Sequence, residues 1–479
     1  MDITILSIFE NRCWVNGQWI TSEKTLDVTN PFDGSILTSV PILEESVILQ
    51  AIQDAEIAQK KWKKVSANER SLLLRNWFNL IMQHQEELAT IMTLEQGKPL
   101  KESRGEIAYA ASYIEWFSEE AKRAYGDIIP SNIHSEILVF KEAIGVCAAI
   151  TPWNFPAAMI TRKVAPALAA GCSILVKPAS ETPLTALALA KLAEQAGFPT
   201  GIFNVITGSS MSIGKILTES PLVKKLSFTG STEIGAKLMA QSSTTIKKLS
   251  LELGGNAPVI VFNSANLDQA VQGVMDTKFR NAGQTCVCAN RIYVQNEIYN
   301  DFVEKLKLKV EALKMGNGLD AGTDIGPLIN RKAILKVEEH IRDAMDKGGV
   351  LVTGQAKNVN AYCVPTVVKD VTQEMLCAKE ETFGPFAPIF KFTTEDEAVQ
   401  MSNDTEFGLA SYVFTQDINQ FIRVSRELEY GMVGINTGLI SNAAAPFGGV
   451  KSSGIGREGS KYGMDEYLEI KYVCLGNIN

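Results

Sequence analysis

The spacing of hydrophobic and polar positions changes along the first third of the chain, and each change predicts a different kind of segment. Residues 11–40 alternate in short runs and predict strands and turns. Residues 44–122 carry apolar side chains at intervals of three and four, which predicts helices, interrupted at residues 97–99 by Gly-Lys-Pro. Residues 125–142 alternate again and predict strands.

From residue 144 to residue 252, short apolar strands alternate strictly with helices. The predicted strands fall near residues 146–150, 173–176, 203–206, 226–228 and 249–251. Strands that are apolar on both faces are expected when helices cover the sheet on both sides. This pattern predicts a doubly wound α/β domain, an architecture that binds dinucleotides at the carboxyl ends of its strands.

A second α/β block is predicted over residues 253–438, joined to the first by the Gly-rich link at residues 253–256. The alternating stretch at residues 466–473 predicts a strand that pairs elsewhere in the molecule. The fold class expected from the whole pattern is α/β, with two large blocks and a small strand element.

Composition and charge argue against several classes of function. The 479 residues carry a net charge of −8 and no Lys/Arg-dense block, which argues against nucleic acid or anionic membrane as a partner. No apolar run approaches the ~20 residues that span a bilayer, and the N-terminus lacks the features of a signal peptide. Eight scattered cysteines predict a reduced, cytoplasmic protein, and three histidines make a zinc site unexpected.

Cys286 is the first candidate for chemistry. It follows a predicted helix at residues 267–279 and precedes a predicted strand at residues 291–295, so it lies on a turn, where a nucleophile can reach a cleft. The alternative is a small, inert, buried hydrophobic residue. The choice depends on whether other strand ends supply its partners.

Two such partners are available. Glu252 ends the last predicted strand of the first block, where an acid between apolar residues is unfavourable unless it faces a cleft. With histidine scarce, it is the expected base. Asn154, held between two prolines at another strand end, offers a rigid amide for an oxyanion, with a loop-capping role as the alternative.

Phosphate-binding motifs need the right context. Gly454-Ile-Gly-Arg-Glu-Gly459 matches GxGxxG but has no apolar strand before it and only twenty residues after it, so it is rejected. The near P-loop at Gly208 to Ile216 has the wrong spacing. Better candidates are Gly230-Ser231, which opens a helix after a strand, and Lys177-Pro-Ala-Ser180; for each, a plain turn is the alternative.

The sequence as a whole resembles the aldehyde dehydrogenase family, over essentially its full length. The motifs that carry the resemblance are Thr151-Pro-Trp-Asn-Phe-Pro156, Lys177-Pro-Ala-Ser180, Phe228-Thr-Gly-Ser231, Leu251-Glu-Leu-Gly-Gly255, Gly283-Gln-Thr-Cys286, Glu380-Glu-Thr-Phe-Gly-Pro385 and Pro446-Phe-Gly-Gly449. Longer matches, among them residues 279–290 and 454–462, resemble the NADP-dependent succinate-semialdehyde dehydrogenase branch.

The resemblance implies a catalytic set. Cys286 attacks the aldehyde as a thiolate, and the Asn154 amide with the Cys286 N–H holds the oxyanion. Hydride then leaves for the nicotinamide, and Glu252 activates the water that hydrolyses the thioester. The reaction implied is oxidation of succinate semialdehyde to succinate with reduction of NAD(P)+.

It also implies a cofactor site. Glu381 binds the nicotinamide ribose, Phe383 packs near that ring, Lys177 contacts the adenosine ribose, and Gly230 with Ser231 receives the pyrophosphate. The full set of implied cofactor residues is Trp153, Asn154, Lys177, Pro178, Ala179, Ser180, Gly230, Ser231, Leu253, Glu381 and Phe383.

Position 180 bears on cofactor choice. Many NAD-preferring members of the family carry Glu there, which repels a 2′-phosphate, whereas Ser180 beside Lys177 accepts one. NADP is therefore the expected cofactor, with NAD as the alternative.

The substrate carboxylate needs cations. The resemblance implies Arg162 and Arg280, with Ser441 as a third donor; a structural salt bridge is the alternative for each arginine. Cys288 is a second thiol beside Cys286 and a candidate partner in a reversible disulfide switch, with simple packing as the alternative.

The expected organisation has three parts. Residues 1–124 and 143–252 form the Rossmann-like dinucleotide-binding domain, residues 253–438 the α/β catalytic domain, and residues 125–142 and 439–479 a small β oligomerisation element. A homodimer or homotetramer is expected, with a small-molecule aldehyde substrate and no metal. Glutarate semialdehyde is the alternative substrate; outside the class, the alternatives are a redox-inactive thiol hydrolase and a scaffold.

Overall fold

The computed structural model describes residues 3–131, 134–355 and 362–476. Residues 1–2, 132–133, 356–361 and 477–479 belong to the predicted domain ranges but lie outside the described residues. The α/β class predicted from the alternation of strands and helices is confirmed.

The first large sheet has eight strands. Their spatial order is Gln18–Ile20, Cys13–Val15, Phe203–Val205, Ser173–Lys177, Val146–Ile150, Val223–Thr229, Lys248–Glu252 and Gly454–Ile455. The five strands from Phe203–Val205 to Lys248–Glu252 run parallel, and the strands at the two ends are antiparallel. The parallel strands therefore bring their carboxyl ends, with Lys177 and Glu252, to one edge.

Helices separate these parallel strands, as the sequence predicts. The helix Ala158–Ala170 ends at Gly171, whose φ of 95° is a left-handed conformation that glycine adopts without strain. The helix Thr232–Ser242 begins at Ser231, whose side chain accepts a hydrogen bond from the Ile234 N–H. Local capping thus fixes the end of one helix and the start of another.

The second large sheet has seven strands. Their order is Val350–Thr353, Thr366–Val371, Phe386–Phe392, Ala289–Gln295, Ala257–Val261, Ala410–Phe414 and Met432–Ile435. All neighbours are parallel except the first pair. The link at residues 253–256 joins the last parallel strand of the first sheet to Ala257–Val261, as predicted.

A small sheet contains the last strand of the described chain. Leu468–Gly476 pairs antiparallel with Ser135–Ala143, which pairs with Asp127–Ile129. The strand predicted at residues 466–473 therefore exists and pairs with the predicted strands at residues 125–142. The same tail also gives Gly454–Ile455 to the first large sheet. Two further pairs are Thr25–Thr29 with Ile36–Pro41 and Phe407–Gly408 with Val450–Lys451.

Within the described residues, four α-helices precede the first parallel strand, and the break predicted at residues 97–99 separates the third from the fourth. In chain order the α-helices are Glu45–Trp62, Ala67–Gln83, Gln85–Gln96, Leu100–Glu120, Ala158–Ala170, Leu184–Ala196, Ser210–Glu219, Thr232–Ser242, Leu267–Lys278, Tyr299–Glu311, Arg331–Asp346, Leu376–Lys379, Glu395–Asn403, Ile418–Glu427 and Ser460–Asp465. In the described part of the chain, no helix is both long and apolar enough to span a bilayer.

Candidate active site

Cys286 lies on the loop between the helix Leu267–Lys278 and the strand Ala289–Gln295. A short 3-10 turn, Arg280–Gly283, leads into the loop. The side chain is half-buried and lines a cavity of about 580 Å³. The predicted turn position of Cys286 is therefore confirmed, and the sulfur reaches a cleft.

Three of the predicted substrate residues line the same cavity. Arg162 comes from the helix Ala158–Ala170, Arg280 from the turn before Cys286, and Ser441 from the loop after the second sheet. Phe155 and Phe447 add aromatic walls. One cavity thus holds a thiol, two guanidinium groups and a hydroxyl, a set suited to an aldehyde that also carries an anionic group.

The two arginines differ in their surroundings. Arg162 is buried and its Nε donates to Glu458, while its guanidinium lies 4.1 Å from the centre of the Phe447 ring. One terminal nitrogen of Arg162 has no partner among the described residues. Arg280 is half-buried over Phe155, and its Nε also has no partner within the described ranges. Arg162 is thus in a salt bridge and still has a donor to offer.

Asn154 follows the strand Val146–Ile150 and is buried. Its Nδ2 donates to the Gln284 carbonyl at 3.0 Å, two residues before Cys286. One of its two N–H groups is therefore committed to the cysteine loop. This contact brings the predicted oxyanion donor beside the predicted nucleophile.

Glu252 is the last residue of the strand Lys248–Glu252 and is buried. One carboxyl oxygen has no hydrogen-bond partner in the described part of the chain. Burial raises the pKa of Glu252 well above its ordinary value, the Glu458 charge raises it further, and Arg162 and Lys163 oppose the rise. Burial therefore makes the Glu252 carboxylate a stronger base than an exposed one.

The cofactor candidates lie outside the lining of this cavity. Gly255 connects the two regions: its N–H donates to Glu381 Oε1 at 3.2 Å, and a Cβ there would meet the Cys286 carbonyl oxygen at 2.5 Å. The Trp153 and Phe383 rings pack edge to face beside Glu381, with centres 5.7 Å apart. Burial raises the pKa of Glu381 to about 7.

Lys177 ends the strand Ser173–Lys177 and is 3% exposed. Its Nζ donates to Ser210 Oγ at 2.6 Å and to Ser180 Oγ at 3.4 Å. Burial lowers the pKa of Lys177 to about 8. Pro178 and Ala179 are buried between Lys177 and Ser180.

The predicted pyrophosphate turn opens the helix Thr232–Ser242. The Gly230 N–H donates to the Glu252 carbonyl at 3.0 Å, and Ser231 is exposed at the helix cap. Leu253 packs against Gly235 of this helix, where a Cβ would lie 2.4 Å from a Leu253 methyl. The turn therefore sits at the same sheet edge as Lys177 and Glu252.

These residues fit a dinucleotide. A buried amine hydrogen-bonded to two hydroxyls suits an anion, and free N–H groups at the first turn of a helix suit a pyrophosphate. A half-buried carboxylate suits ribose hydroxyl donors. Among the described residues, no cluster of three or more His, Cys, Asp or Glu side chains could hold a metal ion.

Cys288 is buried, and its Sγ contacts the Lys278 carbonyl oxygen at 3.6 Å. Burial raises the pKa of its thiol. The proposed disulfide with Cys286 stays a prediction.

The aldehyde dehydrogenase family profile matches residues 19–473. The chain belongs to this family. The NADP(+)-dependent succinate-semialdehyde dehydrogenase GabD of Escherichia coli K12 is 56% identical over 99% of this chain and 100% of its own length. The glutarate-semialdehyde dehydrogenase of Pseudomonas aeruginosa is also 56% identical, over 100% of both chains. A crystal structure of an aldehyde dehydrogenase from Brucella melitensis biovar abortus 2308 superposes with a TM-score of 0.98 at 57% identity, covering 99% of each chain.

Several residues of this aldehyde dehydrogenase site were not candidates from the sequence. Glu458 lies inside the rejected GxGxxG match, yet it accepts from Arg162 and, at 2.5 Å, from Lys163 Nζ. Asn281 and Gln284 lie in the stretch before Cys286 and bond to Asn154. The position of this Asn and this Gln, within five residues before a candidate nucleophile, was the only available signal.

Proposed function

We propose that this enzyme oxidises succinate semialdehyde to succinate, with NADP as its cofactor and NAD as the alternative. The observation that carries the proposal is the single cavity that places Cys286 with Arg162, Arg280 and Ser441. Two guanidinium groups and a hydroxyl are suited to a carboxylate. A short aldehyde held by its carboxylate would present its carbonyl to the sulfur.

Each catalytic residue has its own step in the proposed reaction. Cys286 forms a thiohemiacetal with the aldehyde, and the Asn154 amide with the Cys286 N–H donates to the oxygen that becomes negative. NADP+, when bound, supplies the hydride acceptor. Glu252 takes the proton of the water that hydrolyses the resulting Cys286 thioester, since burial raises its pKa and makes its carboxylate a stronger base than an exposed one.

The cofactor residues keep the roles expected from the sequence. Lys177, Ser180 and the newly found Ser210 would hold the adenosine ribose and a 2′-phosphate. Gly230 and Ser231 would face the pyrophosphate. Glu381 would accept hydrogen bonds from the nicotinamide ribose, with Trp153 and Phe383 packed beside that ring.

Glutarate semialdehyde is the second candidate substrate, supported by the glutarate-semialdehyde dehydrogenase among the relatives. It is one methylene longer, and pockets discriminate one methylene only about 10–200-fold. Both semialdehydes are therefore expected to turn over at different rates.

We propose that the chain is organised in three structural parts. Residues 1–124 and 143–252 would be the cofactor domain, and residues 253–438 the catalytic domain. The small sheet would join copies of the chain into a homodimer or homotetramer, since it exposes Ile128, Phe140, Ile470 and Tyr472. A cytoplasmic location is proposed from the cysteines, which are scattered along the sequence and form no CxxC pair.

The test is NADPH and NADH formation across aldehydes of increasing length, with and without a terminal carboxylate. The proposal expects the highest kcat/KM for succinate semialdehyde with NADP+ and no activity in Cys286→Ala. A preference for uncharged aldehydes would contradict the substrate class. Substrate turnover without reduction of either cofactor would point to a thiol hydrolase, and no turnover at all to a scaffold.

A further inference from the structure

A buried hydrogen-bond network joins the loop of Asn154 to the loop of Cys286, and the Asn281 side chain lies at its centre. Asn281 Nδ2 donates to the Asn154 carbonyl at 3.0 Å and to the Gln284 carbonyl at 3.3 Å. The Asn154 side chain completes the ring by donating to the same Gln284 carbonyl at 3.0 Å. The oxyanion donor and the nucleophile loop are thus tied at two points.

Every polar group of Asn281 has a hydrogen-bond partner. Its Oδ1 accepts from Gln96 Nε2 at 3.1 Å, and its backbone N–H donates to Glu102 Oε2 at 2.8 Å. Its carbonyl accepts from Gln284 Nε2 at 3.1 Å. A 1% exposed amide with all its groups paired has one available orientation.

The backbone around Asn281 is strained. Asn281, Ala282 and Gly283 have φ values of 51°, 53° and 77°, so three consecutive residues occupy the left-handed region. Asparagine and glycine adopt this region readily, whereas Ala282 adopts it at an energetic cost. A Cβ at Gly283 would lie 2.2 Å from the Gly384 carbonyl oxygen. Such a conformation persists only where its surroundings fix it.

The Asn154 carbonyl has a second donor. Lys98 Nζ donates to it at 2.7 Å and also pairs with Glu106. Removing the Asn281 amide therefore leaves this carbonyl hydrogen-bonded. What disappears is the Asn281 bridge between the Asn154 carbonyl and the Gln284 carbonyl, so that the direct bond from Asn154 Nδ2 to the Gln284 carbonyl alone joins these groups.

We infer that Asn281 is a positioning residue that sets the spacing between the Asn154 amide and the Cys286 sulfur. The inference rests on the roles proposed above for Asn154 and Cys286. An oxyanion donor acts only when it lies about 2.7–3.1 Å from the developing charge. A displacement of about 1 Å can slow a reaction roughly 100-fold.

The variant that tests this is Asn281→Asp. Aspartate has nearly the same shape, tolerates the left-handed backbone and keeps an acceptor for Gln96, but it turns an oxygen toward the two carbonyls. Asn281→Gly is the second variant, because it removes the side chain without backbone strain. The matched control is Asn204→Asp in the first sheet, where a buried Nδ2 donates to the Gly201 carbonyl at 2.9 Å.

Two reactions of the Cys286 sulfur distinguish a misplaced oxyanion donor from a general loss of Cys286 reactivity. Acylation by p-nitrophenyl acetate forms a carbon–sulfur bond, releases p-nitrophenolate and passes through an oxyanion. Alkylation by iodoacetamide forms a carbon–sulfur bond, releases iodide and needs no oxyanion donor. Neither reaction uses NADP or an aldehyde, so the result does not depend on the proposed substrate. Peptide mass spectrometry assigns the modified cysteine.

Both Asn281 variants are expected to lower the acylation rate constant about 10–100-fold while the alkylation rate constant changes little; Asn204→Asp changes neither. Equal losses in both reactions, or unchanged acylation, would overturn the inference. Asn154→Ala is the reference. If it lowers acylation and the Asn281 variants do not, only the inference is wrong. If it leaves acylation unchanged, the proposed oxyanion role is wrong and the inference falls with it.

Discussion

The charges around Cys286 oppose one another. Burial raises the pKa of its thiol to about 12, Arg162 and Arg280 lower it, and Glu381 and Glu252 raise it. The thiol of the protein alone is therefore protonated at neutral pH. Attack on an aldehyde requires that a neighbouring group take this proton, and burial makes the Glu252 carboxylate a stronger base than an exposed one.

The pKa of Glu381 predicts how cofactor binding depends on pH. Because burial raises that pKa to about 7, Glu381 is a carboxylate above pH 7 and a neutral acid below it. The carboxylate is the better acceptor for ribose hydroxyls. The KM for NADP is therefore expected to rise as pH falls from 7.5 to about 6. The window stops at 7.5 because Lys177, with a pKa near 8, begins to lose its charge above it.

The control is Glu381→Gln, which cannot titrate. It should show a high KM that stays flat between pH 6 and about 7.5. The same pH dependence in the variant would assign the titration to another group.

Residue 180 should set the choice between the two cofactors. Ser180→Glu places a negative charge beside the site expected to hold a 2′-phosphate, and like charges in contact are strongly unfavourable. We expect the KM for NADP to rise about 100-fold, equivalent to about 2.7 kcal/mol, with little change in the KM for NAD. Ser180→Gln controls for size. Equal effects on both cofactors would contradict the assignment.

At the scale of elements, local patterns predicted most of the fold. Apolar spacing located the helices of residues 44–122, and Gly171 and Ser231 marked a helix end and a helix start. The contact between Arg162 and Glu458 was not predictable, because the partners are 296 residues apart in sequence. The sequence shows which groups carry charge, but only the folded chain shows which of them meet.

That contact should stabilise the packing of the helix Ala158–Ala170 against the chain that follows Gly454–Ile455. Glu458→Gln leaves Arg162 and Lys163 buried without their carboxylate. Removing one partner of a buried ion pair typically costs about 3–5 kcal/mol. Urea denaturation is expected to show a lower midpoint with an unchanged slope.

Glu233→Gln is the matched control for Glu458→Gln. Glu233 pairs with Lys237 on the surface, and both side chains are exposed. Its removal should leave the midpoint unchanged. Equal effects of the two substitutions would show that the buried pair has no special role in stability.

At the scale of the whole molecule, the small three-stranded sheet is the expected assembly surface. Ile470 is 74% exposed and Tyr472 is 62% exposed on the strand Leu468–Gly476. Ile470→Glu with Tyr472→Glu should shift the mass measured by light scattering to that of one chain. Ile418→Glu, at a similarly exposed isoleucine outside this sheet, should leave the mass unchanged. An unchanged mass in the double variant would place the interface elsewhere.

The site is assembled from parts of the chain that are far apart in sequence. For this reason it was only partly predictable from the sequence. Family motifs identified Cys286, Arg162, Arg280 and Ser441 one at a time, and the structure placed all four on one cavity. The supporting residues Asn281 and Glu458 lie inside matched stretches, and Lys98 lies in the break predicted at residues 97–99, but none of the three was a candidate from the sequence. Their roles arise from contacts between the helical N-terminal part, the two large sheets and the tail.

The proposed carboxylate-binding role of the cavity is tested most directly by the effect of Arg280→Met on two aldehydes of equal length, succinate semialdehyde and butanal. Methionine keeps an apolar stem beside Phe155 and removes the charge. We expect kcat/KM for succinate semialdehyde to fall about 100-fold, because a charged hydrogen bond contributes roughly 1.5–3 kcal/mol, while kcat/KM for butanal is unchanged or rises. Equal losses for both aldehydes would contradict the claim that this cavity binds a carboxylate.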